Sequence, residues 1–320
     1  MNIIFGSGIV GLLAKLMLGP SWTVVPFYRS RFFSFNPSLD DNFIIADDEI
    51  EPFIKDLTGE IKPQVYPYRR TWSIQGHLMN DWDKGLCSDW LFKIFGINPP
   101  PQAELYHRDR MTLPVYDIRL NEVYQRLVNQ FLPELKAEAE KGQVTEVGNH
   151  YFIRGGVRQD FDKAISTIPL DVLCKLMNAG VDLPAKDVHY FHIRTKHLDF
   201  EGFNQVLVAD PLFSFYKVAN IAPERYMFYC HEDIPNPGVY FMSFIPTSKF
   251  DILDSTSFPR AIPLGPMPDL SAVEQAGITC VGSYAQWDWC SDVGSNILRL
   301  IRYANRGNKP TGGPKPIKFG

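Results

Sequence analysis

Ile3-Ile4-Phe5-Gly6-Ser7-Gly8-Ile9-Val10-Gly11-Leu12-Leu13-Ala14 is a short apolar run, then a G-x-G-x-x-G triplet, then a run able to continue as helix. That order is strand, turn and helix of a dinucleotide-binding unit. Gly6 permits the tight turn, Gly8 lets backbone approach a pyrophosphate, and Gly11 lets the helix lie close to the strand. The backbone N–H groups around Ser7, Ile9 and Val10, at the positive end of the helix dipole, then face the phosphates.

The composition is that of an ordinary globular protein. Of 320 residues, 45% are hydrophobic and 21% charged, enough to bury a core and to suggest two domains. A net charge of -4 argues against bulk electrostatic binding of nucleic acid. Cys87, Cys174, Cys230, Cys280 and Cys290 form no C-x-x-C and no metal-ligand spacing. They read as buried, reduced thiols of a cytoplasmic protein without a metal site. The apolar stretch Ile3 to Leu18 lacks the basic flank and small-residue cleavage site of a signal peptide, and no run is long enough to span a membrane.

Outward from the glycine turn, Gly19-Pro20 stops the first helix and Trp22 to Pro26 reads as a second strand. An Asp or Glu there would ordinarily hold the adenosine ribose. Pro26-Phe27-Tyr28 stands in its place, which moves that contact to backbone groups or Tyr28, with Arg29 and Arg31 as candidate phosphate partners. Asp47, Asp48 and Glu49 suit a helix start and read as dipole partners of a helix running to Leu57. Arg69 to His77 is a polar and aromatic loop or strand, with His77 a candidate site residue.

Asp117 to Lys141 carries Leu120, Val123, Tyr124, Leu127, Val128, Phe131 and Leu135 at 3.6-residue spacing, which predicts a long helix with a core-facing stripe. Short strands over Val144 to Val147 and Tyr151 to Ile153 precede a strand that ends at Thr167-Ile168-Pro169. Tyr190 to Arg194, Gln205 to Val208, Phe213 to Val218, Arg225 to His231 and Val239 to Ile245 predict a mostly antiparallel second sheet. Pro259 to Pro268 is a proline-rich return. Ile278 to Gly282 reads as a strand, followed by a helix from about Ser291, its N-cap, to Tyr303. The tail 306–320, with Lys309, Lys315 and Lys318 among glycine and proline, reads as a flexible basic end and a candidate nucleic-acid contact.

The glycine triplet, the Ile165-Ser166-Thr167-Ile168-Pro169 strand and the Val281-Gly282…Ala285-x-Trp287 junction fall in an order that resembles the flavin-containing amine oxidase superfamily. Within it the UDP-galactopyranose mutase and protoporphyrinogen oxidase-like branch is the nearest in pattern. The resemblance implies an α/β fold in which a Rossmann-like FAD-binding domain is intertwined with a mainly antiparallel β substrate domain. Residues 1–75, 140–180 and 260–305 would form the first, and 76–139 and 181–259 the second.

It also implies FAD as cofactor, with its pyrophosphate at Gly6, Gly8 and Gly11, and its flavin end near Gly282 and Ser283. Trp287 would then wall the ring, and His77, Tyr216, Lys217 and Arg225 are the substrate-side candidates. Lys217 could serve as base or hold a carboxylate. The expected activity is FAD-dependent oxidation of a C–N or C–H bond in a small-molecule or nucleotide substrate, with oligomeric state open. The alternatives are a flavin-dependent sugar-nucleotide mutase, a flavoenzyme modifying nucleotides or nucleic acid, and a cofactor-free binding protein.

Overall fold

The computed structural model describes residues 1–27, 42–59, 62–74, 77–79, 81–96, 99, 111–181, 183–198, 200, 202–230, 249–264, 268–288 and 292–305. Tyr28, Arg29, Arg31, the Val239 to Ile245 strand, Cys290, Ser291 and the basic tail lie outside the described residues.

The chain begins β1 (Asn2–Phe5), α1 (Ile9–Leu18), β2 (Trp22–Val25), α2 (Glu51–Thr58), β3 (Val65–Ile74), β4 (His77–Met79), α3 (Lys84–Phe95), β5 (Thr112–Tyr116) and α4 (Leu120–Glu140). It continues through β6 (Val144–Gly148), β7 (Tyr151–Arg154), β8 (Val157–Asp160), β9 (Lys163–Ser166), α5 (Leu170–Leu176), β10 (Ala185–Arg194), β11 (Gln205–Val208), β12 (Phe215–Ala222) and β13 (Arg225–Cys230). The last elements are β14 (Asp251–Pro263), α6 (Ser271–Gln275), β15 (Ile278–Cys280), α7 (Ser283–Gln286) and α8 (Val293–Asn305).

Among the described residues, β15, β9, β1 and β2 form one parallel sheet in that order. Its strands are apolar on both faces, as a doubly covered parallel sheet requires. Ile4 packs into a core with Leu12, Leu13, Tyr124, Leu127 and Ile297, so α1, α4 and α8 cover that face. Ile3 and Phe5 point the other way, onto Phe152 and Leu173 of the β6-β7-β8 meander and α5. The strand order reverses direction at β1, with β2 on one side and β9 on the other, which opens a crevice at the carboxyl ends.

The predicted stripe of α4 is buried as its period requires, except for the half-buried Phe131. Its C-terminal end is tied to the meander by Arg154, only 1% exposed, which donates to Glu138 Oε2 at 2.6 Å. Lys15, near the end of α1, is buried and donates both to the Trp22 carbonyl and to Glu134 at 2.9 Å. Glu134 Oε1 also accepts from the Val24 amide of the edge strand β2.

The second sheet runs β14-β10-β13-β12-β11-β3-β4, with β5 paired to β3, and is antiparallel except at β11–β3. One face is covered by α3, through Trp72, Trp90, Tyr190, Tyr216 and Tyr229. The other buries Phe191, Val206, Phe215 and Phe228 beneath Phe200 and Phe203.

Three sequence expectations are corrected here. The proline-rich return begins inside a 13-residue strand, β14, because its residues pair along nearly all of β10. The cap of α8 is Asp292, whose Oδ1 accepts from Ser295 N at 2.7 Å. Helix α4, in the stretch placed with the substrate domain, packs on α1 and β2, and β3, placed with the first domain, belongs to the larger sheet.

Candidate cofactor and substrate site

The three glycines of the first turn have three different reasons. Gly6 has φ +108°, a conformation that L side chains rarely adopt, and a Cβ there would lie 2.5 Å from Thr167 Oγ1. A Cβ on Gly11 would come within 2.1 Å of the Gly6 carbonyl oxygen, so α1 lies on the turn with no room for a side chain. At Gly8 no described residue lies within 4 Å of the point a methyl carbon would occupy. Gly8 is the N-cap and offers no side-chain acceptor. Among the described residues the N–H groups of Ile9, Val10 and Gly11, ahead of the first helical bond from Leu12 N to Gly8 O, are left without an acceptor at the positive end of a 10-residue helix.

The strand ending in Thr-Ile-Pro runs beside this turn. Thr167 binds the Phe5 carbonyl twice, by its N–H at 2.8 Å and its Oγ1 at 3.0 Å, which fixes where β1 stops. On its far side, the Val281 N–H donates to Ser166 O at 2.9 Å. The glycine turn, the Thr-Ile-Pro turn and the Gly282 turn are thus neighbours along one edge of the parallel sheet, joined at β1, β9 and β15. Gly282, at φ +117°, donates its N–H to Asn296 Oδ1 at 2.9 Å, and Asn296 donates to the Asp292 carbonyl at 2.7 Å. This ties the third turn to the first turn of α8. Ser283 starts α7.

Trp287 is buried in the core behind β9, its indole N–H on the Leu264 carbonyl at 3.3 Å. That is the setting of a packing residue. Cys280 is shut into the same core, and burial pushes its thiol pKa up to about 12, far from a reactive thiolate. Cys87, Cys174 and Cys230 are likewise buried and outside any disulfide.

The four substrate-side candidates all belong to the larger sheet. Cross-strand partners share a face, so Lys217 opposite Tyr229, Arg225 two residues before Met227, and His77 opposite Ile74 lie on the α3 face with Tyr216. They are not gathered. Tyr216 and Lys217 are central, with Lys217 Nζ 3.7 Å from the Tyr229 ring centroid and the Tyr216 carbonyl accepting from Trp90 Nε1. Arg225 and His77 are exposed at opposite ends, Arg225 level with Ala222 and His77 just beyond Ser73 and Val208.

Several polar residues here had no role assigned from sequence. Asn296 and Thr167 hold turns. Asn121, one helical turn before Tyr124, is buried with neither carboxamide atom bonded, and the Tyr124 hydroxyl reaches the Ser7 carbonyl at 3.4 Å. Arg70 is buried in the larger sheet. Its signal was present, a cation alternating with Tyr68 and Trp72 in a strand-like run, but without the sheet that run was equally a loop.

No family model matches the chain, and no curated protein sequence matches it. Solved structures do. Reduced UDP-galactopyranose mutase superposes with a TM-score of 0.64 at 10% identity, over 96% of this chain and 93% of that one. Cyclohexylamine oxidase from Brevibacterium oxydans gives 0.60 at 10% identity, over 95% and 98%. Iminodiacetate oxidase from Chelativorans sp. superposes with a TM-score of 0.52 at 12% identity, over 98% and 97%. At 10–12% identity the likeness to these structures is one of fold. The crevice described above lies where an open parallel sheet ordinarily takes its ligand.

Proposed function

We propose that the protein is an FAD-dependent oxidoreductase of amine-oxidase type, acting on a C–N or C–H bond of a small molecule. The observation that carries this reading is the convergence of three turns on one sheet edge, with the N-terminus of α1 beside the central Thr-Ile-Pro turn. The residues fit an extended dinucleotide. Gly8 leaves a cradle for a diphosphate, and Gly6 and Gly11 allow the backbone to form it. When bound, the flavin would supply the two-electron acceptance that no side chain here can perform.

The chain's own residues would do the rest. The N–H groups of Ile9 and Val10 would bind the pyrophosphate, and Thr167 would keep the turn in place beneath it. Asn296 and Asp292 would hold the Gly282 turn against α8 at the distant half of the site. The α3 face of the larger sheet would carry the substrate, with Tyr216 and Lys217 at its centre and Lys217 Nζ as the proton-accepting atom. Trp72 on the sheet and Trp90 on α3, 6.0 Å apart edge to face, would exclude water there.

The visible spectrum of the purified protein tests the reading. Bands of oxidised flavin are expected in the wild type and absent in Gly8→Glu, which places a carboxylate where the diphosphate would sit. Flavin retained by that variant would overturn the placement. Oxygen consumption on turnover separates the oxidase from a mutase, which would turn over only after reduction and consume none.

A further inference from the structure

The α3 face of the larger sheet holds a buried cation without a counter-charge among the described residues. Arg70 is 6% exposed, and its Nε and Nη1 are buried with no hydrogen-bond partner. Its guanidinium lies 5.3 Å from the Phe43 ring centroid and 5.9 Å from that of Tyr68, the two ring centroids themselves 4.4 Å apart. No described carboxylate lies within ion-pair distance of it. Aromatic faces return only part of the hydration that such a cation loses. A guanidinium with two nitrogens, Nε and Nη1, buried and without partners among the described residues is the arrangement of a site whose anion comes from elsewhere.

The position of Arg70 says which site. It stands on the face shared by Tyr216 and Lys217, in register with Gln205 and two residues from Trp72. Phe43 continues into Ile44, whose carbonyl accepts from Tyr116 N at 2.9 Å and whose Cγ2 lies 3.4 Å from the Cβ position of Gly294. Arg70 is therefore connected, through one aromatic ring and one residue, to the first turn of α8 and thence to the Gly282 turn.

We propose that Arg70 is the substrate-anchoring residue of this pocket and receives a carboxylate or phosphate group, so that the enzyme acts on an acidic substrate. This rests on the oxidoreductase reading for its meaning, though not for its detection. The anion would enter against Phe43 and Tyr68, ion-pair with Arg70, and leave the rest of the substrate extending along the sheet toward Lys217.

The test uses the full chain reconstituted with FAD, with benzoate as carboxylate probe and inorganic phosphate as the other. Thermal midpoint is followed against probe concentration in wild type, Arg70→Met and Arg70→Lys. Saturable stabilisation of the wild type by one probe is expected, and it identifies the acid class. In Arg70→Met the half-saturating concentration should rise roughly tenfold or more, and Arg70→Lys should fall between. Without probe, Arg70→Met should melt at or above the wild type, since an uncompensated charge has been removed; an arginine with only a structural role would give a lower midpoint. Equal response of Arg70→Met and wild type, or no saturable response of the wild type to either probe, would overturn the proposal. An Arg70-dependent response in protein that takes up no flavin would sink the oxidoreductase reading and leave the anion site standing.

Discussion

The two sheets differ in how their positions are specified. In the parallel sheet, single atoms decide the structure. A methyl on Gly11 has no space, one on Gly8 meets nothing, and Thr167 fixes where the neighbouring strand ends. In the larger sheet the decisive relations are cross-strand and distant in sequence, such as Arg70 with Gln205, Lys217 with Tyr229, and β10 with both β13 and β14. A site built on the first kind of region can be read residue by residue. One built on the second exists only once the strands are in register.

The most severe way to break this contrast is Gly11→Ala. A 2.1 Å approach to the Gly6 carbonyl cannot relax without lifting α1, and a loss of about 3 kcal/mol or more in thermal or denaturant unfolding is expected. A variant that melts like the wild type would refute the idea of single-atom tolerance.

Next comes Glu138→Gln, which strands the buried Arg154 and also removes the Lys141 partner at 2.6 Å. Its expected cost is about 3 kcal/mol, and the double replacement Glu138→Leu with Arg154→Met should recover most of it. Chemical denaturation of the wild type and the two variants decides whether this clamp between α4 and the meander behaves as a buried pair.

In the larger sheet the matching test is Lys93→Met. Lys93 reaches from α3 to the carbonyls of Val208, Asp210 and Phe215 at 3.1, 2.7 and 2.8 Å, closing the turn between β11 and β12. Removing it leaves three acceptors short of a donor, at a cost of about 2 kcal/mol near neutral pH. Burial lowers the Lys93 pKa from 10.5 to about 8, against the opposing pull of Asp210. Between those values the unfolded chain holds one more proton than the folded one, so the lysine's contribution to stability rises as pH increases from about 8 toward 10.5. Unfolding of wild type and Lys93→Met across that range should show the gap between them change in that sense; a gap independent of pH would mean that the amine is not desolvated.

Gly8→Glu should have the smallest effect on folding, within about 0.5 kcal/mol, because its new side chain enters open space. Its whole effect is expected in flavin content. Gly8 and Gly11, three residues apart, then separate binding from folding, and comparable thermal losses in the two variants would erase that distinction.

The same contrast accounts for what was legible in the sequence. The glycine turn, the Thr-Ile-Pro strand end and the α4 stripe follow from local geometry and periodicity, and they are found where those rules put them. Strands β10, β11, β12 and β13 overlap the predicted runs. Strand β14 was obscured because Pro259 and Pro263 suggest a loop, while pairing to β10 makes a strand of the same residues. The association of α4 with α1 is set by tertiary packing of a stripe that would have suited either domain. Arg70 was hidden for a related reason: a buried cation becomes conspicuous only when its surroundings are known to hold no acid. His77 and Arg225 shared a face with Lys217 but not a neighbourhood, since alternation predicts the side of a sheet and says nothing of distance along it.

Helix α1 is pinned at both ends, under the Gly6 carbonyl at Gly11 and by Lys15 between the Trp22 carbonyl and Glu134. Its free N–H groups are consequently oriented before any anion arrives. For the proposed cofactor, little conformational entropy would remain to be lost on binding, so affinity for its phosphate would be established when the chain folds. Glu134, which grips Lys15 roughly 9 Å along the helix from the first free N–H, would then determine cofactor retention while touching no part of the cofactor. Release of the ligand, by the same reasoning, would be governed by loosening of the helix anchor rather than by competition at the turn.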